Sequence, residues 1–71
     1  MNIKENLDRK IIDLELERLE LLCKTEDVDF KVVKPYFLGY REVNPVTAYV
    51  ETINYIGIRA KMNQTIEEMN K

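Results

Sequence analysis

Residues 3–24 read IKENLDRKIIDLELERLELLCK and contain neither glycine nor proline. Leucine, glutamate, lysine and arginine dominate this run, and these residue types favour helix formation. At about 100° per residue the apolar side chains fall into two neighbouring stripes. The first holds Ile3, Leu7, Ile11, Leu14, Leu21 and Leu22, and the second holds Ile12, Leu16, Leu19 and Cys23. The run therefore predicts a long helix with more apolar surface than one neighbouring helix needs.

Two interpretations of these stripes remain open. The extra stripe contacts a second copy of the chain or another protein, or one broad core wraps around both stripes. A 71-residue chain buries only about 60% of its unfolded surface, so the single domain expected over residues 1–71 has little stability to spare. Small domains often add a disulfide, a metal ion or a subunit. With one cysteine and no histidine, we expect a homo-oligomer, most simply a dimer.

The second half of the chain predicts another helix. Asn44 suits the N-cap position, and Pro45 suits the first helical residue. One face then carries Val46, Tyr49, Val50, Ile53, Ile56, Gly57 and Ala60. Beyond Gly57 the apolar residues move. Nearly the opposite face carries Tyr55, Ile58, Met62, Ile66 and Met69. Either Gly57 kinks or breaks the helix, or the carboxyl-terminal half packs on something other than the first helix.

The connection over residues 26–43 has two interpretations. After Pro35, alternation of apolar residues at Tyr36, Leu38 and Tyr40 favours a short β-hairpin. Thr25 followed by two acidic residues also resembles the N-cap of a short helix that ends before Pro35. We slightly favour the strand-like interpretation. The predicted fold is thus mainly α: a two-helix antiparallel hairpin with a compact aromatic connection, a possible short β-hairpin, completed by oligomerisation.

Catalysis is not expected from this composition. The chain has no histidine to activate Cys23, which lies on an apolar helical stripe. No glycine-rich phosphate loop is present, and Asp27 and Asp29 are not followed by the remaining ligands of a calcium loop. The sequence therefore predicts no catalytic residue, no cofactor and no metal site, and points to a binding protein.

Aromatic residues concentrate in the middle of the chain and mark the first candidate surface. Five of the six lie between positions 30 and 49, beside Lys31, Lys34 and Arg41. Such residues fill a small core, form hot spots at protein interfaces or stack nucleic-acid bases. With the displaced face of the second helix they give the predicted partner-binding set of Tyr36, Phe37, Tyr40, Arg41, Ile58, Met62 and Ile66. The expected function is a self-associating protein-interaction module acting as adaptor, regulator or stoichiometric inhibitor.

An acidic segment supports the alternative function. Residues 15–29 carry six acids and two bases, a net charge of −4, whereas residues 30–41 carry +3. Carboxylates can occupy the phosphate-binding channel of a nucleic-acid enzyme, as an antagonist encoded by a mobile element does. The array for this role is Glu15, Glu17, Glu20, Glu26, Asp27 and Asp29. A small DNA-binding regulator is the third possibility, and the formal net charge of −2 makes direct nucleic-acid binding the least favoured.

The sequence also bears on location. No apolar run approaches the roughly 20 residues of a membrane span, and the first residues do not resemble a signal peptide. One free cysteine fits a reducing compartment. We therefore expect a soluble cytoplasmic protein without a membrane partner.

Overall fold

The computed structural model describes residues 3–70, which form three helices and contain no strand. They are α1 (Ile3–Glu26), α2 (Phe30–Val43) and α3 (Ala48–Met69). The expectation of a mainly helical chain is confirmed. The expected two-helix hairpin needs correction, because the connection that we read as a β-hairpin is the helix α2.

A tight turn ends α1. Asp27 has φ 57°, in the left-handed region that Asp tolerates better than most residues. Its N–H donates to the Lys24 carbonyl at 3.4 Å, and the Val28 N–H donates to the Cys23 carbonyl at 2.8 Å. This is the hydrogen-bond pattern of a Schellman motif. Val28 and Cys23 are both buried, so the same turn that stops the helix also closes one end of the core.

The N-cap of α2 is Asp29, not Thr25. The Asp29 carboxylate accepts a hydrogen bond from the Lys31 N–H at 3.0 Å. Thr25 lies in the last turn of α1, where its hydroxyl donates to the Leu21 carbonyl. The helix continues through Pro35, which we expected to lie beyond its end. Burial explains this, because the helical spacing of four places Val33 and Phe37 together in the core.

Replacing Pro35 with alanine is expected to stabilise the protein. Proline within a helix lacks the N–H that would bond to the carbonyl of residue 31, and its ring crowds that carbonyl. Alanine regains part of the roughly 3 kcal/mol propensity difference but loses the stiffness of proline in the unfolded chain, so we expect a gain of about 1–2 kcal/mol. Urea unfolding followed by helical circular dichroism measures the change. A loss of stability would contradict the placement of Pro35 inside α2.

The corner between α2 and α3 corrects the predicted start of the second helix. The Asn44 N–H donates to the Tyr40 carbonyl at 2.8 Å, so Asn44 caps the end of α2 and does not begin the next helix. Residues 45–47 form a turn, and α3 starts at Ala48. Thr47 occupies the N-cap position of α3 without a side-chain hydrogen bond to the helix.

Two contacts between distant residues give the directions of the helices. The Arg41 Nη1 lies 3.5 Å from the Glu15 Oε1, which places the end of α2 beside the middle of α1. The Asn63 side-chain amide donates to the Asp27 carbonyl at 3.4 Å, which places the second half of α3 beside the end of α1. The chain therefore runs up, down and up, with α3 parallel to α1. The antiparallel packing expected for these two helices is wrong, because α2 supplies the return crossing.

The core is small and uses one stripe of α1. It consists of Leu19, Cys23, Val28, Val33, Phe37, Ala48 and Ile56, with Ile12 and Leu16 packed at its edge. The buried Thr52 hydroxyl donates to the Ala48 carbonyl at 2.7 Å, so this polar group is satisfied. These residues include the second stripe of the sequence pattern. The first stripe, apart from the half-buried Leu22, is exposed.

Helix α3 is continuous through Gly57, so of the two alternatives left open by the sequence the break at this residue is wrong. Gly57 does not have a positive φ, and a Cβ atom there would meet nothing within 4 Å. Beyond it Ala60 still packs against the core, whereas the larger apolar residues, Ile58, Met62, Ile66 and Met69, are exposed.

The two long helices extend past the core at opposite ends. At 1.5 Å per residue, α1 begins about 18 Å before the level of Glu15, and α3 continues about 9 Å past Asn63. The molecule is accordingly elongated, with principal extents of 55 × 20 × 15 Å.

Candidate functional site

An apolar surface on α2 and α3 unites several of the predicted partner-binding residues. Tyr36 of α2 lies beside Tyr55 of α3, and Ile58, Met62 and Ile66 continue along α3 from that point. We call these five residues the α3 patch. Ile58 is 62% exposed and Met62 is 51% exposed, values far above those of the core. The patch is thus accessible without any change in the fold.

Aromatic contacts hold the α2 side of the patch in place. The ring centroids of Tyr36 and Tyr55 are 4.1 Å apart with an interplanar angle of 56°. Tyr36 also lies 6.1 Å from Tyr40, and the Arg59 guanidinium lies 6.0 Å from the centre of the Tyr55 ring. Rings in such tilted contact have few accessible rotamers, so they lose little conformational entropy when a partner binds.

Two shallow cavities give the patch a shape that side chains of another protein can enter. One, of about 330 Å³, is lined by residues that include Tyr36, Tyr55 and Met62. The other, of about 490 Å³, is lined by Ile58, Lys61, Met62, Thr65 and Ile66. Apolar walls beside a few polar and cationic groups are typical of the centre of a protein interface.

Three residues of the predicted partner-binding set lie elsewhere. Phe37 is fully buried and belongs to the core. Tyr40 packs against the core from the side, and Arg41 forms a half-buried ion pair with Glu15. The helical conformation of α2 explains these positions. Consecutive side chains of a helix point about 100° apart, so Tyr36 lies at the surface while Phe37 enters the core. Sequence analysis did not include Tyr55 and Arg59 in the set, although Tyr55 lies one turn before Ile58.

The predicted acidic array does not form one surface. Glu15 is engaged with Arg41, and the Asp29 carboxylate caps α2. Glu17 and Glu26 are nine residues apart on α1, which places them on opposite sides of the helix at about 100° per residue. A phosphate mimic needs a one-sided row of carboxylates. The geometry gives the array less support than the α3 patch.

A further groove lies between α1 and α3. It has a volume of about 970 Å³, and Leu22, Glu26, Ile53, Gly57 and Lys61 are among the residues that line it. Its walls alternate apolar and charged groups without bringing reactive side chains together. Across residues 3–70 no three of His, Cys, Asp and Glu are clustered as metal ligands would be, and no described helix has the length and apolar character to cross a membrane.

Cys23 is the one thiol of the chain, and its surroundings make it unreactive. The side chain is buried on α1. Burial raises the pKa of the Cys23 thiol, and the negative charges of Asp29 and Glu20 add to the shift. A reactive cysteine requires the opposite environment, one that is exposed and electropositive.

Iodoacetamide is therefore expected to modify Cys23 slowly in the native protein and rapidly in urea, as measured by mass spectrometry.

The raised thiol pKa also predicts how stability depends on pH. Because the Cys23 thiol pKa is higher in the folded state, the unfolded chain loses its thiol proton first as pH rises. Stability is thus complete below the ordinary thiol pKa and falls as pH rises through the folded value. The variant Cys23→Ser should lack this alkaline loss and cost about 1–3 kcal/mol through its buried hydroxyl. Rapid native alkylation would contradict the burial of the thiol.

No protein-family model matches the chain, and no curated protein or solved structure shows significant similarity to it.

Proposed function

We propose that this protein is a non-catalytic interaction module that binds a partner protein through the α3 patch. The observation that carries the proposal is the exposed row of Ile58, Met62 and Ile66, joined to the tilted Tyr36–Tyr55 ring pair. Contiguous exposed apolar surface on a small protein marks interaction sites. Binding of this kind suits an adaptor, a regulator or a stoichiometric inhibitor.

Energetics support a modest but specific interface. Full burial of an Ile or Met side chain contributes roughly 1.5–3 kcal/mol, and these residues are about half exposed, so each offers about 1 kcal/mol or more. The aromatic rings add geometric preference, and Arg59 at the edge can pair with an acidic group of the partner. Tyr, Met and Arg are the residue types enriched at the centres of interfaces.

Capture from an extract of the producing cells tests the proposal. Three tagged proteins serve as baits: the wild type, the patch variant Ile58→Gln/Met62→Gln and the charge variant Glu17→Lys/Glu20→Lys. All four positions are exposed, so each bait should retain the helical circular dichroism of the wild type. We expect quantitative mass spectrometry to find a protein that the wild type and the charge variant retain and the patch variant loses.

The opposite pattern would support the acidic antagonist. In that case the charge variant loses a nucleic-acid enzyme that the patch variant retains, and the proposed role of the α3 patch is wrong.

A further inference from the structure

The exposed stripe of α1 is a second apolar surface, separate from the α3 patch. Its residues are Ile3, Leu7, Ile11, Leu14 and Leu21, all exposed on the side of α1 away from the core. The first and the last of them lie 18 positions apart, about 27 Å along the helix. We call this surface the α1 stripe. The α1 stripe begins at the amino-terminal end of α1, which projects past the core. It continues to Leu21, in the part of α1 whose opposite side is covered by α2 and α3.

The size and shape of the chain show that one copy leaves surface unburied. A compact chain of 71 residues has a radius of gyration of about 11 Å, whereas this one has 14.2 Å. A folded monomer of this mass, 8.5 kDa, has an accessible surface of about 4,700 Å². The observed surface is 5722 Å². The excess of roughly 1,000 Å² is close to the 800 Å² or so that each partner buries in a standard interface.

The distribution of charge along α1 favours a second copy of the chain as the partner that covers the α1 stripe. Residues 3–12 carry Lys4, Arg9 and Lys10 against Glu5 and Asp8, a net +1. Residues 13–22 carry Arg18 against Asp13, Glu17 and Glu20, a net −2, because the fourth acid of this segment, Glu15, is already paired with Arg41 of α2. An antiparallel second copy places the positive half of each helix over the negative half of the other. A parallel copy would place like charge over like.

We propose that the α1 stripe binds the α1 stripe of a second copy, antiparallel, around a two-fold axis near residue 12. The projecting first half of each α1 then packs on the second half of the other α1. Because this contact is two-fold symmetric, it forms a dimer and no larger assembly. Lys10 lies on the same flank of the stripe as Asp13 and Glu17, so in this register Lys10 of each copy lies opposite those carboxylates of the other. The inference goes beyond partner binding by the α3 patch, because it concerns a different surface.

Mass measurement of the full chain tests the dimer. Light scattering at micromolar concentration should give twice the chain mass of 8.5 kDa. Leu14 and Ile66 are equally exposed, at 56% and 54%, which makes them a matched pair. Leu14→Gln should raise the dimer dissociation constant by at least about 30-fold, because the change occurs twice near the centre of the interface. Ile66→Gln should leave it within a few-fold of the wild type.

A charge exchange tests the antiparallel register. Lys10→Glu alone and Glu17→Lys alone should each weaken self-association, since both place like charges opposite one another. Mixed in equal amounts, the two variants should form a heterodimer in excess of the statistical half, measured by native mass spectrometry. A wild-type monomer at 100 µM, a dimer that Ile66→Gln disrupts but Leu14→Gln does not, or a statistical mixture would each overturn the inference.

Discussion

The variant Phe37→Ala is expected to lose most of the stability of the protein. Phe37 is fully buried at the centre of the core, where it meets residues of α1 and α3. Removal of a buried phenylalanine ring costs about 3–5 kcal/mol. At about 0.05–0.15 kcal/mol per residue, the whole chain has about 4–11 kcal/mol of stability. We therefore expect the unfolding temperature, measured by circular dichroism, to fall by more than about 12 °C.

The neighbouring residue provides the control and separates the two interpretations of this segment. Leu38 is 37% exposed on α2, so Leu38→Ala should cost less than about 1 kcal/mol. In the β-hairpin expected from the sequence, Leu38 would point inward with Tyr36 and Tyr40, and Phe37 would point outward. A larger loss for Leu38→Ala than for Phe37→Ala would therefore contradict the helix α2.

The variant Tyr36→Ala is expected to weaken partner binding at least about 30-fold, which corresponds to 2 kcal/mol or more at a hot spot. Tyr36 supplies one of the two contacting rings of the α3 patch, and its loss also removes the support of Tyr55. The measurement is a calorimetric titration with the partner obtained by capture.

Two further variants keep this result interpretable. Tyr36→Phe retains the ring and should bind within a few-fold of the wild type. Val46→Ala removes apolar surface from the exposed turn before α3, outside the patch, and should have no effect. If Val46→Ala weakens binding as much as Tyr36→Ala does, the binding surface has been misplaced.

Periodicity was enough to predict α1 and most of α3. Residues 3–24 contain no helix breaker, and the observed α1 ends only two residues later, at Glu26. The same pattern separated the two stripes of α1. Which stripe enters the core could not be predicted, because the first stripe has more apolar residues than the second and yet stays largely exposed, so the choice depends on where α2 packs.

The helix α2 was missed because local signals and tertiary packing disagree there. Pro35 and Gly39 are both unfavourable within a helix, and alternation around Pro35 imitates a strand. Burial of Val33 and Phe37 on one helical face outweighs these preferences. The N-cap prediction for Asn44 was wrong for a related reason: an Asn before a Pro suits a helix start, but here it closes the preceding helix.

The candidate site was predictable only in part. Exposure of Ile58, Met62 and Ile66 follows from the displaced face of α3, which the sequence shows directly. Their proximity to Tyr36 depends on α2 lying beside α3, and no local pattern contains that information. The same dependence explains why Phe37 was placed in the partner-binding set: adjacent aromatic residues cannot be assigned to core or surface until the helix carrying them is known.

The salt dependence of partner binding tests the central claim that this protein binds through apolar contacts. The dissociation constant of the captured partner would be measured by calorimetry between 50 and 300 mM NaCl. Over this range the screening length for exposed charges falls from about 14 Å to about 6 Å, whereas apolar burial is almost unaffected. We predict a change of less than about threefold for the wild type. A loss of affinity of about 100-fold or more would contradict the apolar interface and assign binding to the acidic residues of α1.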